Sequence, residues 1–470
     1  MSDPLAQLTL SQAADLIRQG VLSPVELTEA LLDRIARLNP RLNAYIRVTV
    51  DEARQEARAA EQRLAAHRQS GSPPLPPLLG VPLALKDLFD VRGLPTTAGS
   101  PIRAHAIAEE DAAVTARLRA AGAVLLGKLN LHEWALGVTT VNPHFGPTRN
   151  PWDPERISGG SSGGSAAAIA ARLCLGSVGS DTGGSARIPA ALCGVVGLKP
   201  TYGRISLRGA VPLSWSLDHA GPMGPTVRDV ALLLQVLAGY DPDDPASVNA
   251  PVDDYLSLEQ SLAGLRLGVP TGYFFDDLHP DVEAAVRAAI EALAGLGMDV
   301  REVHLPEAQA AREASNVILL CEAVAYHRDR LRERPEEFGE DVRTRLMAGA
   351  AMSGSDYALA RRTQVVWQRQ LERLFDQVDI LATPATPLPA PRIEESAAAG
   401  AVSAAFHLAR LTRPFNLAGV PALSLPCGFT QSGLPIGLQL VSRAWSEATL
   451  LRVAHAYEQA TPWHTRPPAL

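Results

Sequence analysis

Stretches with helical apolar spacing and short apolar runs alternate along almost the whole chain, and that alternation limits the fold more sharply than any average property. Residues 10–38 carry apolar side chains at helical intervals, from Ala14, Leu16 and Ile17 to Leu31, Leu32 and Ile35. Ser23, Pro24 and Glu26 supply an N-cap, a first-turn proline and a capping-box acid inside that stretch. An Ala-rich charged helix is predicted over 51–67, broken by the proline-rich 71–80. VPLALKDLF at 81–89, and AVLLGKLN after the amphipathic DAAVTARLRAAG, read as buried strands. Strand, helix and strand recur in GLRLGVP, HPDVEAAVRAAIEALAGLG and MDVREVHLP. A helix at 357–376, the strand VDILATP, paired strands in PALSLPCGF and GLPIGLQLVS, and a helix in ATLLRVAHAYEQA complete the pattern. The expected class is α/β: a single large domain, 1–470, with a central mixed β-sheet covered by helices on both faces. Within it, N-terminal helices fill 10–67, a core 80–230, and further helices and strands complete the sheet over 260–460.

Composition excludes several functions. A chain of 470 residues, 46% hydrophobic and 20% charged, buries a substantial core and is not a disordered tail. A net charge of −7 without any basic block gives no support to nucleic acid as a ligand. No apolar run reaches the length of a membrane span, and the N-terminal segment lacks the pattern of a secretory signal, so the expected compartment is the cytoplasm. The four cysteines, Cys174, Cys193, Cys321 and Cys427, form no C-x-x-C pair, which argues against zinc and against a disulfide scaffold. Only three lysines, Lys86, Lys128 and Lys199, stand among 40 arginines. Lysine can lose its proton when buried and act as a base, whereas arginine stays charged, so each lysine invites a separate reading.

Several familiar motifs fail on mechanics. Gly122 to Lys128 spells G-x-x-x-x-G-K, but Leu129 follows where a phosphate loop needs Ser or Thr, and the order is helix then strand. His132-Glu133 opens like a zinc-protease helix, yet position 136 is leucine. No lysine has a serine three residues before it. Gly159 to Gly163 satisfies G-x-S-x-G, but loop rather than apolar strand precedes it.

The run from Gly159 to Pro200, GGSSGGSAAAIAARLCLGSVGSDTGGSARIPAALCGVVGLKP, is of another kind. Two Gly-Ser clusters stand 24 residues apart, followed by Asp181-Thr182-Gly183-Gly184-Ser185, Arg187, Pro189 and GLKPT. The chain resembles the amidase signature family of serine hydrolases here. The resemblance extends through GVPLALKDLFDVRGLPTTAGS, FGPTRNPWD, SLDHAGPMGPTVRD, PFNLAGVPALSLPCGF and GLPIGLQLV, nearly the whole length.

That resemblance implies roles. Ser185 is the nucleophile, Ser161 a bridging serine behind a cis peptide bond, and Lys86 the terminal base. Thr182, Gly183, Gly184 and Ser185 supply backbone N–H groups to an oxyanion hole. Asp181 and Arg187 brace the loop, and Ser162 supports the Lys86 network. A serine hydroxyl does not ionise usefully near neutrality, so Lys86 has to be neutral, which burial among Leu83, Leu85 and Leu88 favours. The plain alternative for Lys86 is a salt bridge to Asp87 or Asp90. Lys199 and Cys193 read as structural, Lys128 stays ambiguous, and Trp134, Trp215, Phe406 and His407 are candidate pocket walls.

The implied activity is hydrolysis of a small carboxylic amide through an acyl-enzyme, with no metal, no cofactor, no membrane partner and a homodimer as the suggested assembly. Two alternatives stand beside it: a catalytically silent partner subunit, and the A subunit of a glutamine-dependent aminoacyl-tRNA amidotransferase. Against the latter, Ser185-Ala186-Arg187-Ile188 replaces that protein's usual Ser-Ile-Arg-Gln, and Ala409 stands where it carries an acidic residue that grips the glutamine ammonium.

Overall fold

The computed structural model describes residues 5–71, 73–397 and 407–470. Its first two helices show how local signals divide the chain. α1 (Leu10–Gln19) stops at Gly20, which takes the left-handed conformation, and α2 (Pro24–Leu42) starts where the Ser23 side chain accepts from the Val25 and Glu26 amides. The helical spacing over 10–38 is therefore two helices, because the intervening glycine and cap are stronger than the shared periodicity.

Eleven strands form one sheet, seven of them at the runs expected from the sequence. They are β1 (Tyr45–Val48), β2 (Pro82–Lys86), β3 (Val124–Leu129), β4 (Ser177–Ser180), β5 (Val196–Lys199) and β6 (Ala220–Gly224). β7 (Arg266–Thr271), β8 (Asp299–His304), β9 (Ile380–Pro384), β10 (Ala422–Phe429) and β11 (Pro435–Ser442) complete it. The spatial order is β1-β3-β2-β4-β6-β5-β10-β11-β9-β7-β8. β2 runs parallel to both β3 and β4, whereas β10 and β11 pair antiparallel, so the sheet is mixed.

Helices α3 (Val50–Ser70), α4 (Ala113–Ala120), α5 (Gly163–Ala170), α6 (Arg187–Cys193), α7 (Val227–Leu237) and α8 (Pro280–Gly295) come from the first two thirds. α9 (Ala308–Glu333), α10 (Glu340–Ala350), α11 (Gly354–Leu374), α12 (Arg413–Ala418) and α13 (Glu447–Ala460) follow. Both faces of the sheet are covered. Alternate residues of one strand enter different cores: Ile380 and Ala382 join the cluster under α1–α3, α7 and α8, while Leu381 joins the one under α9–α11. No helix among the described residues is long and apolar enough to cross a membrane.

Two placements matter for function. β2 and β4 are parallel neighbours, with Leu85 opposite Val178, so their carboxyl ends open on the same edge of the sheet. α9 and α10, which no sequence pattern announced, pack against one another, and residues of both line a cavity with Thr182 and Ser185, just beyond the end of β4.

Candidate active site

β2 ends at Lys86 and β4 at Ser180, and the segment following each strand carries the polar residues that meet there. The Lys86 amine is wholly buried and donates to Oγ of Ser161 at 2.7 Å, of Ser180 at 2.8 Å and of Ser162 at 3.0 Å. Its chain neighbour Asp87 instead pairs with Lys128 at 2.7 Å and accepts from the Thr97 hydroxyl and amide. Burial drives the Lys86 amine from 10.5 down to about 7, against the pull of the Asp181 and Asp218 charges.

Ser161 follows a cis Gly160–Ser161 peptide bond, and its carbonyl accepts from the His132 amide at 3.2 Å. The Ser162 amide donates to the Ser185 carbonyl at 3.0 Å, tying together the two Gly-Ser clusters. Gly179 in β4 leaves the space this needs, since a Cβ there would stand 2.7 Å from Ser162 Oγ. Among the described residues the Ser161 hydroxyl bonds to Lys86 and not to the Ser185 hydroxyl. Ser185 itself lines a cavity, alongside Thr182 and Gly183.

The loop before Ser185 is held by a dense set of bonds. Arg187 grips Asp181 through Nε at 3.0 Å and a terminal nitrogen at 2.9 Å, and also donates to Gln439 and Asn416, each at 2.6 Å. Asn416 in turn donates to Asp181 Oδ1 at 2.8 Å. Burial alone would raise the Asp181 carboxyl, but the Arg187 charge and hydrogen bonds outweigh it and hold the group well below the usual range. Thr182 Oγ1 donates to Asp218 at 2.6 Å, and burial lifts that carboxyl to about 6. The Gly184 N–H, one of the expected oxyanion donors, donates to Asp181 Oδ1 at 2.9 Å. Gly184 has φ 122°, and a Cβ there would meet Thr412 Oγ1 at 2.2 Å, so only glycine fits.

Of the candidate walls, Trp134 is buried edge-on against His327, 4.4 Å between centroids, while its successors Ala135 and Leu136 line the cavity. Trp215 lines a separate cavity that also touches Ser180 and Thr182. His407 is half-buried, and Phe406 lies outside the described residues. Lys199 is buried against His219 Nε2 at 3.2 Å, and Cys193 Sγ donates to the Ser158 carbonyl at 3.3 Å. Sequence reasoning passed over Ser180, Thr412, Asn416 and Gln439, and the cavity-lining Asn316, Arg345 and Arg413. Ser180 immediately precedes the Asp181 turn at a strand end, a signal that was available; α9 and α10 carried none. No group of three or more His, Cys, Asp or Glu among the described residues is placed to hold a metal.

Relatives extend over the whole chain. One, from the glutamyl-tRNA(Gln) amidotransferase of Roseiflexus castenholzii, where it is the A subunit, is 45% identical over 99% of this chain and 98% of its own. A solved structure from a vestigial complex, described as revealing the evolutionary origins of an s-triazine catabolic enzyme, is 40% identical with a TM-score of 0.90, covering 96% of this chain and 98% of that one. The peptide amidase of Stenotrophomonas maltophilia is 32% identical with a TM-score of 0.86, covering 99% of each chain. The family model for Amidase matches residues 26–451, and the chain accordingly belongs to that family of enzymes, the hydrolases of amide C–N bonds.

Proposed function

We propose that the chain hydrolyses a small primary carboxamide to a carboxylic acid and ammonia through an acyl-enzyme on Ser185, with Lys86 as base and Ser161 as relay. The observation that carries this reading is the Lys86 amine, buried, lowered to about 7 and 2.7 Å from Ser161 Oγ. Neutral Lys86 takes the Ser161 proton while Ser161 takes that of Ser185, and Ser185 Oγ bonds to the amide carbon. The carbonyl oxygen, now negative, is met by backbone N–H groups of the Thr182–Ser185 loop other than that of Gly184. The C–N bond breaks as the proton returns through Ser161 to the nitrogen, which leaves as ammonia. Water then attacks the ester by the same relay run again. The gap between the Ser161 and Ser185 hydroxyls suits this scheme, since catalytic hydrogen bonds in empty sites are commonly loose and tighten around substrate.

The reaction has two settings. In the first, the chain acts alone on its own amide. In the second, it belongs to a tRNA-dependent amidotransferase and draws ammonia from glutamine beside a partner protein. The relatives' names favour the second over the first, at 45% identity across nearly full length. Ala409 speaks for the first: it is wholly buried in an apolar cluster with Val138, Ile188 and Leu408, and offers no carboxylate to an ammonium group.

Ammonia release by the purified chain, across aliphatic and aromatic primary amides and glutamine, tests both settings. Turnover of simple amides and not glutamine favours the free-standing enzyme, whereas glutamine turnover that needs a partner protein favours the amidotransferase. A Ser185→Ala chain that turns over as fast as the wild type refutes the acyl-enzyme.

A further inference from the structure

Two cavities meet at the loop that leads to Ser185. The one that Ser185 lines measures about 30 Å³, room for little more than the reacting amide group. The one that Trp215 lines measures about 230 Å³. For scale, an apolar cavity of roughly 150 Å³ takes a benzene ring. Thr182 and Leu213 line both cavities, so these two residues divide them. One carboxylate holds both halves of that wall. Thr182 Oγ1 donates to Asp218 Oδ1 at 2.6 Å, and the Leu213 and Ser214 amides donate to its Oδ2 at 2.9 and 3.0 Å. Glu322 of α9 accepts from the hydroxyls of Ser214 and Ser216, at 2.6 and 2.7 Å, which fixes the same loop from its other side. The Leu213 side chain, 4% exposed, is the apolar part of the wall, and it turns aside without breaking a hydrogen bond.

Beyond Leu213 the larger cavity is mostly apolar, with walls such as Phe89, Leu207, Val211 and Pro212. Trp215 lines it while 48% exposed, so its indole borders both the cavity and solvent. The charged groups there are three carboxylates, Asp218, Asp243 and Asp244, and the Arg208 guanidinium. Arg208 is paired with Asp241 at 3.0 Å, and Asp244 accepts from the amides of Leu207 at 2.7 Å and Ala246 at 2.9 Å. A lining of this kind takes up apolar surface, and its excess of carboxylates repels an anion.

We infer that this second cavity takes the acyl tail of the substrate, an uncharged alkyl chain or single aromatic ring that passes Leu213. Leu213 is thereby a specificity residue. The inference rests on the amide-hydrolysis reading above: with ammonia as the leaving group, the acyl side is the part of the substrate that needs room. The matched probes are acetamide, hexanamide, phenylacetamide and adipamate, which is hexanamide with its terminal methyl replaced by a carboxylate.

Binding of the four to the full-length Ser185→Ala chain, followed by ligand-observed NMR titration, reads the selectivity without turnover. Hexanamide is expected to bind roughly 10- to 100-fold more tightly than acetamide, the gain of four further buried methylenes, and adipamate should lose that gain. In the same background, Ala210→Phe fills the second cavity and should collapse the ratio of hexanamide to acetamide. Leu213→Ala widens the passage and should strengthen phenylacetamide more than acetamide. Equal affinity for hexanamide and acetamide, adipamate bound as tightly as hexanamide, or binding of none of the four overturns the inference. So does a folded Ala210→Phe chain that keeps the hexanamide ratio, or a folded Leu213→Ala chain that keeps the phenylacetamide ratio. If Ala210→Phe fails to fold, Ala246→Phe fills the same cavity from another stretch of its lining, and the ligand series in the Ser185→Ala chain decides beside it. Selective hexanamide binding that Ala210→Phe abolishes, together with no ammonia release from any amide by the wild-type chain, would leave the tail pocket standing and remove the hydrolysis reading.

Discussion

Lys86 and Lys128 sit on adjacent strands, both almost wholly buried, and meet opposite fates. Lys128 lies across from Leu85 and Lys86 across from Leu129, so alternation along the strands sends the two amines to opposite faces. Asp87 falls on the Lys128 side and closes a 2.7 Å ion pair there. Lys86 is left among three hydroxyls, which satisfy its hydrogen bonds without neutralising its charge. Burial therefore leaves one lysine in an ion pair and the other with its pKa lowered to about 7, as the proposed base requires. What separates them is the identity of the partner, and a partner can be changed.

The largest expected effect is on turnover. Lys86→Met should lower kcat by roughly 10²–10⁴-fold, the range lost with a general base. Lys86→Arg should not rescue it, because a guanidinium stays protonated. Lys128→Met should lower activity only as far as it lowers the folded fraction. Steady-state kinetics on the best amide from the panel, with the folded fraction measured alongside, separates the two. A Lys128→Met enzyme that is fully folded and as impaired as Lys86→Met would erase the distinction.

Stability should run the other way. Lys128→Met strands the Asp87 carboxylate in the interior and should cost about 3–5 kcal/mol, as removal of one partner of a buried pair does. Lys86→Met relieves a buried amine of its desolvation and should leave the chain at least as stable. Denaturant titration reads both, and a shared loss of stability would mean that Lys86 is a strut as well.

The pH dependence sharpens the contrast further. Activity should rise with pH through about 7 as Lys86 loses its proton. Stability should also rise between about 7 and 10.5, because the unfolded chain then binds a proton that the folded chain does not. Below about 7 both states hold the proton and this contribution is flat. Lys86→Met should remove its share of that slope, seen as a smaller stability difference between pH 7 and pH 9 than in the wild type. An unchanged slope would place the amine's pKa near that of the unfolded chain.

These contrasts show what a reader of the sequence has in hand. Lys86, Ser161 and Ser185 stand out because they fall in the motifs that carry the family resemblance, and the structure brings the three segments together. Strands such as β10 and β11 were legible because a strand buried on both faces reads as a continuous apolar run. α9 was not: its buried positions recur at helical spacing, but small and polar residues such as Ala308, Ser315, Glu322 and His327 fill many of them, so no apolar stripe stands out. The cavity depends on that helix and on α10, so Asn316 and Arg345 were invisible as site residues. The Gly184 amide escaped for a different reason. Whether an N–H faces a substrate or a carboxylate three residues earlier in the chain is decided by loop geometry, which residue type alone does not encode.

Ser180 provides the smallest effect and the finest test of the hydroxyl set. Its Oγ accepts from the Lys86 amine at 2.8 Å, and an acceptor favours the charged form of the donor. Ser180→Ala removes that support, so the Lys86 pKa should fall and the rising limb of activity should move to lower pH by about one unit, the worth of one hydrogen bond to a charged group. The plateau above the limb should change little, because Ser180 is no member of the proposed relay; Ser161→Ala, by contrast, should collapse the plateau. A limb that moves to higher pH would mean that the Ser180 hydroxyl donates to the neutral amine and steadies the base itself. In that case the three hydroxyls divide the work differently: Ser161 and Ser162 hold the ammonium, and Ser180 tunes the amine that takes the proton.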